Sequence, residues 1–319
     1  MKKSVKIFSV LLLAGFLLLA VLLSAVAGFR AYGSRLEVDR GGGLLSTDGD
    51  SVKILHLSDV QTSNIIECAM AYPTVKQMVK KTEPDLIVLT GDNISNDSGY
   101  DVLAAFVGLM DSFEIPWAPV LGNHDPNSAV PMEELCRALE NSEYCLFKTG
   151  NLSDRYGNYR YDLSIGGETV RSLIFMDSEK EGFTAEQVRW YGETVSSLPL
   201  CDGEILPSFA FFHIPIPETA AAHEQYALDP TVGSGVQVDE VRTQALDEGF
   251  FSEVKRLGST DALFYGHDHR NNTFIEYEDV LFCYGRKTGI TVYYEPGVLG
   301  ANLITVTADG FTVERVDCK

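Results

Sequence analysis

The chain has 319 residues, 45% of them hydrophobic and 22% charged, which fits a globular protein with a sizeable core, in one large domain or two small ones. Its formal net charge of −20 at pH 7 argues against nucleic acid as a partner, because phosphate polyanions recruit Lys- and Arg-rich surfaces. A small phosphorylated substrate stays open, since bound cations reverse the local sign of an acidic site.

Lys2, Lys3 and Lys6 precede a run from Ile7 to Phe29 without a charge. A hydrophobic helix of that length reaches across a bilayer core, which takes about 20 apolar residues. Read as an anchor over 7–29, it keeps its basic end in the cytoplasm and puts the rest of the chain in an extracytoplasmic location. Ala25-Val26-Ala27 also fits a cleavage signal, so secretion after cleavage near Ala27 is the alternative. The anchor is favoured because the run exceeds the roughly 7–15 residues of a signal-peptide core. Residues 30–50, with Gly41-Gly42-Gly43, read as a linker, and 51–319 as one domain.

Within that domain apolar β-type runs alternate with helical patterns. Ile54–Leu57, Leu86–Thr90 and Trp117–Leu121 read as strands, with helices over Tyr72–Lys81 and Val102–Phe113 between them. This is the pattern of βαβ units, hence an α/β fold. Strands follow at Leu173–Met176, Phe209–His213 and Ala262–Tyr265, a helix at Ala185–Ser196, and a β-rich tail from Phe274 to Val316. Ile216–Val241 has weak periodicity and reads as a long loop, with His223 on its surface. The six cysteines show no metal-type spacing; Cys136 and Cys145 are the nearest pair, and free buried thiols fit equally well.

Five of the strands end in the same chemistry. Ile54–Leu57 runs into Ser58-Asp59-Val60-Gln61, Leu86–Thr90 into Gly91-Asp92-Asn93, and Val120-Leu121 into Gly122-Asn123-His124-Asp125. Phe209–Phe212 ends at His213, and Leu263–Tyr265 at Gly266-His267-Asp268-His269. Singly these are ordinary: an Asp after a strand caps helices, Gly-Asp-Asn makes turns, and a strand-end His is often a core residue. Five at the C-terminal strand edge, where open α/β sheets bind ligands, point instead to a metal pair. Carboxylate, amide oxygen and imidazole donors suit Mn, Fe or Zn.

In order and spacing these motifs resemble the calcineurin-like metallophosphoesterases. Phe211–Glu218, Gly266–Asn271 and Cys283-Tyr284-Gly285-Arg286-Lys287-Thr288-Gly289 are similar to a branch of stand-alone relatives of the purple acid phosphatases. The resemblance covers roughly 52–291 and implies a four-layer αββα sandwich. It implies that Asp59 and His269 bind a first divalent ion, that Asp92 bridges, and that Asn123, His213 and His267 bind a second. His124 would stand beside the substrate phosphate, and a metal-bound hydroxide would hydrolyse a phosphoester, monoesters being favoured. Gln61 stands where the family usually has His; as a metal ligand it offers an amide oxygen at most, so the first site should be weaker and lean towards Mn²⁺. Ser95 stands where true purple acid phosphatases have the Tyr behind their colour. The other class of function that fits is a non-catalytic relative that binds a phosphate ligand through a degenerate first site. His56 reads as packing, Asn271 as a support for the histidines, and Arg286 and Lys287 as partners of surface carboxylates.

Overall fold

The computed structural model describes residues 35–153, 155–201, 203–246 and 248–318. The hydrophobic helix expected over 7–29 lies outside them, and among the described residues no helix is long and apolar enough to cross a membrane.

The chain begins with β1 (Glu37–Asp39), β2 (Leu44–Thr47) and β3 (Ser51–Leu57), followed by α1 (Ile65–Thr82), β4 (Leu86–Thr90), α2 (Tyr100–Asp111) and β5 (Trp117–Val120). Next come α3 (Met132–Glu140), β6 (Tyr159–Ile165), β7 (Glu168–Phe175) and α4 (Ala185–Ser196). A short hairpin of β8 (Leu200–Cys201) and β9 (Glu204–Ile205) leads to β10 (Ser208–Phe211), α5 (Glu218–Leu228) and β11 (Gly233–Ser234). The last elements are α6 (Phe250–Leu257), β12 (Thr260–Tyr265), β13 (Phe274–Tyr277), β14 (Val280–Tyr284), β15 (Gly300–Thr307) and β16 (Gly310–Asp317).

Among the described residues the strands form a nine-stranded sheet, ordered β1-β2-β6-β7-β10-β12-β14-β13-β11, and a five-stranded sheet, ordered β16-β15-β3-β4-β5. The centres of both are parallel: β3, β4 and β5 in one, β7, β10, β12 and β14 in the other. α1 and α2 are the crossovers that parallel pairing requires. Asn64 starts α1 by accepting the N–H groups of Ile66 and Glu67, and Glu83, in a left-handed conformation, ends it by donating to Val79 O.

Side chains of the nine-stranded sheet alternate between two environments. Phe175, Phe209, Phe211 and Phe264 share a core with Ile54, Leu55, Val88 and Ile304 of the five-stranded sheet. Their neighbours Ile174, Ala210, Phe212 and Leu263 pack with Tyr191 of α4, Ala222 of α5 and Phe250 of α6. The period of two along β10 therefore buries one face on the other sheet and the opposite face under helices. At the centre Phe211 stacks between Phe175 and Phe264, with ring centroids 5.2 and 5.0 Å away. His56 packs there as expected, edge-on to Phe264, with Nε2 2.8 Å from Thr90 Oγ1.

Two expectations need correction. Of the stretch read as a linker, the described part, 35–50, is no simple linker: β1 and β2 form a hairpin, and β2 pairs in parallel with β6, with Leu45 fully buried. The glycines make its turn, where Gly43 sits at φ +67° and Gly42 donates to Asp39 Oδ1. Nor is Ile216–Val241 a structureless loop, since it carries α5 and β11. The alanine-rich composition of α5 favours helix without a sharp apolar face, so periodicity could not reveal it. His223 is buried, between Gln237 Oε1 and Thr273 Oγ1.

All six cysteines are free. Cys68, Cys136, Cys145 and Cys283 are buried, which raises their thiol pKa values, whereas Cys201 is exposed. A thiol reagent should therefore modify Cys201 rapidly in the native protein and the four buried thiols only after denaturation. Rapid native labelling at any of the four, mapped by peptide mass spectrometry, would contradict this packing.

Candidate metal centre

The five motifs meet at one edge, where both sheets contribute. β3, β4 and β5 deliver Asp59, Asp92 and Asn123; β10 and β12 deliver His213 and His267–His269. The loops are laced by their backbones: Asp59 N donates to Gly91 O (3.2 Å), Gln61 N to Asp92 O (2.8 Å) and Gly266 N to His213 O (3.0 Å). Asp59, Gln61, Asp92 and His267 all have positive φ, at 54°, 50°, 49° and 77°. Each such residue costs about 1 kcal/mol or more, a strain that gathers at functional sites. Close approach explains two glycines. A Cβ on Gly91 (φ +83°) would stand 2.6 Å from the His213 ring, and one on Gly122 2.3 Å from Asp92 Oδ1.

Donor atoms of Asp59, Asp92 and His269 lie within 4.8 Å of one another, and all three residues are buried. His269 Nε2 is 3.3 Å from Asp59 Oδ1, and His213 Nε2 is 3.3 Å from Asp92 Oδ2. The His213 and His267 rings are 5.2 Å apart. Neighbouring groups fix which atom of each side chain is left over. His213 Nδ1 donates to Thr90 O (2.7 Å) and His269 Nδ1 to Tyr293 O (3.0 Å), so each presents the lone pair of Nε2. Asp59 Oδ2 accepts from Ser58 Oγ (2.5 Å) and His267 N (3.2 Å), which leaves Oδ1. Asp59 Oδ1, Asn123 Oδ1 and His213 Nε2 are buried without a hydrogen-bond partner. Orphaned oxygen and nitrogen acceptors of this kind ask for a cation, and the donor set fits a hard to borderline divalent ion.

The charges agree. Burial alone would raise Asp59, but His269, with Nε2 3.3 Å from Oδ1, and the charges of His213 and Lys287 outweigh it and hold its carboxyl below the usual range. Asp92 is lowered likewise, its burial outweighed by His213. Burial would lower His213, yet Asp92 and Asp59 push it up to about 10; burial and the His213 charge bring His267 down to about 4.

His124 stands at the mouth, its side chain about a third exposed, with Nε2 3.8 Å from Asp92 Oδ2 and Nδ1 2.9 Å from Asn96 Oδ1. Gln61 is buried, and its Oε1 lies 3.4 Å from Lys287 Nζ. Asn271, expected to support the histidines, instead ties the 238–239 segment: its Oδ1 accepts from Val238 N and Asp239 N and its Nδ2 donates to Asp239 O.

Three residues here escaped sequence reasoning. Arg286 does pair with a surface carboxylate, Asp317 (2.9 Å), but Lys287 does not: it is buried, with Nζ 3.0 Å from Asp59 O. Asp125 is buried and accepts from Gly122, Asn93 and Ile94 N–H groups; burial and the Asp92 charge push its carboxyl up to about 7. Asn96 holds His124. Only Asp125 carried a signal, its place in the Gly-Asn-His-Asp string.

The calcineurin-like phosphoesterase family model matches residues 52–271, and the chain belongs to that family. Among its relatives are two Arabidopsis thaliana proteins, "Probable inactive purple acid phosphatase 28" and "29". They are 31% and 27% identical, each alignment covering 76% of this chain and 68% and 67% of theirs. "Phosphatase DCR2" of Saccharomyces cerevisiae is 28% identical over 81% of this chain and 51% of its own length. A solved dimetal phosphatase from Danio rerio shares the fold, with a TM-score of 0.58 at 13% identity over 84% of this chain and 96% of its own.

Proposed function

We propose that this chain is a phosphoester hydrolase acting on a small phosphorylated substrate, monoesters favoured over diesters, on a four-layer αββα frame. Asp59, Asp92, Asn123, His213, His267 and His269 would hold two divalent ions, with Gln61 adding at most an amide oxygen and Mn²⁺ favoured beside it. One observation carries this reading: Asp59 Oδ1, Asn123 Oδ1 and His213 Nε2 are buried acceptors with no partner, beside a carboxylate that lies against His213. When bound, two such ions supply Lewis acidity at phosphorus and activate water at neutral pH. His124, held through Nδ1 by Asn96, keeps Nε2 at the accessible side, where its protonated form can give a proton to the leaving oxygen.

The test is turnover of an aryl phosphate and its diester by purified protein with Mn²⁺ added. The monoester should be the better substrate, and His124→Ala should lower kcat about 10²-fold with metal content unchanged. No turnover above an Asp92→Asn control, with several metals and both substrates, sinks the reading.

A second reading is a binder without catalysis. Gln61 favours it, as do the plant relatives whose names carry the words "probable inactive". Metal analysis separates the two: about two ions per chain support the hydrolase, one or none the binder. We further place the domain outside the cytoplasm, anchored by 7–29 or secreted after cleavage near Ala27. The N-terminus of the mature protein decides which. The net charge of −20 supports a small substrate over nucleic acid.

A further inference from the structure

The buried ammonium of Lys287 is a strong charge at the centre that the proposed hydrolysis leaves unused. It lies two residues beyond Gly285, where the chain leaves β14 and crosses to the five-stranded sheet through a parallel bridge between Lys287 and Ser58. The segment that follows is stitched to the Asp59 turn: Thr288 N donates to Ser58 O (2.8 Å), Gly289 N to Asp59 O (3.2 Å) and Thr291 Oγ1 to Gln61 O (2.8 Å). This fixes the lysine's backbone beneath the turn. Its side chain ends on two neutral oxygens, Asp59 O at 3.0 Å and Gln61 Oε1 at 3.4 Å. Among the described residues no carboxylate pairs with it directly, and the residue is 1% exposed.

An ammonium buried on neutral oxygens is costly, and a hydrophobic side chain of equal length would fold more easily there. Its position gives it a use. It stands behind the Asp59–Gln61 turn, bonded to Asp59 O, and its charge acts first on Asp59 and second on Asp92. One of the two acceptor lone pairs of Gln61 Oε1 is directed to it. A fixed positive charge there repels a divalent ion held by Asp59, and the lower the local dielectric, the stronger the repulsion.

We propose that Lys287 is a positioning residue that makes the Asp59/His269 subsite the weaker and more exchangeable of the two. It does so by engaging the Gln61 amide and by placing a positive charge behind the turn. The proposal rests on the dinuclear reading above. It also relocates the cause of the expected asymmetry: the weak half of the centre arises from an added cation as well as from a missing imidazole.

The test is Mn²⁺ binding to the chelator-stripped full chain, followed by calorimetry and by the EPR signal of free Mn²⁺. The wild-type protein should show a tight and a weak class of site. Lys287→Met and Lys287→Gln each remove the charge, the second retaining a hydrogen-bond donor for Asp59 O. Tightening of the weak class by about tenfold in either variant, with the tight class moved less than about threefold, is the expected result. Lys287→Arg, which keeps the charge, should behave as wild type. Circular dichroism and thermal midpoints without metal report whether each variant folds. A weak class that is unchanged or looser in both charge-removing variants overturns the proposal while leaving the dinuclear reading intact. A wild-type isotherm with a single class of site overturns the proposal, and one with a stoichiometry of about one removes the dinuclear reading as well.

Discussion

Asp92→Asn is expected to yield a folded protein that retains about one divalent ion at most and hydrolyses aryl phosphate about 10³-fold more slowly, or worse. The expectation follows from what each carboxylate oxygen does. Oδ1 accepts His124 N at 2.9 Å, a bond that an amide oxygen can keep, so the loop geometry survives. Oδ2 faces His213 Nε2 at 3.3 Å, and an amide N–H₂ there would donate to that nitrogen and occupy the lone pair a metal needs. In the proposed centre the change would also remove one of the two carboxylates that offset the ions' mutual repulsion. Asp59→Asn should be milder, since it leaves the Asp92, Asn123 and His213 group intact and costs chiefly the weaker ion. Metal content by mass spectrometry, beside thermal midpoints in chelator, checks both. An Asp92→Asn protein that still holds both ions would show that the bridge lies elsewhere.

The centre was legible in the sequence because each component is a strand end, and the apolar run before it announces the strand. Asp59, Asp92, His213 and His267 follow Leu57, Thr90, Phe212 and Tyr265, all buried. Parallel strands fix which end faces the ligand, so order and spacing suffice to gather the residues. Lys287 was not legible for the opposite reason. It sits among Arg286, Thr288 and Gly289, and nothing local distinguishes a lysine turned inward from one turned to solvent. Only the bridge between residues 58 and 287, a contact across most of the chain, turns it in. The hairpin of β1 and β2 was hidden by length: strands of three and four residues beside three glycines carry too short an alternation to read. His223 was misplaced along with α5, whose composition favours helix but whose pattern does not show which face is buried.

Asp125→Asn should destabilise the fold by about 2 kcal/mol and loosen both metal subsites together, although Asp125 is no ligand. Its Oδ1 accepts Asn93 N at 3.0 Å and Ile94 N at 2.9 Å, while Oδ2 accepts Gly122 N at 2.7 Å and Asn93 Nδ2 at 3.2 Å. These donors belong to two loops, the one after β4 that carries Asp92 and the one after β5 that carries Asn123. Every group facing the carboxylate is a donor, so an amide in its place must set an N–H₂ against N–H groups whichever way it turns. At least one loop then loses its tie, and a buried backbone N–H is left without an acceptor, which costs about 1–3 kcal/mol. Relief of the repulsion between Asp125 and Asp92, which burial strengthens, offsets part of this. The offset acts on stability alone, because the lost bonds, beside that of His124 N to Asp92 Oδ1, hold the Asp92 and Asn123 loops together. Stability and metal affinity should therefore fall together, with both Mn²⁺ classes weakened by about tenfold; a variant that melts lower yet binds both ions as tightly as wild type would refute the link.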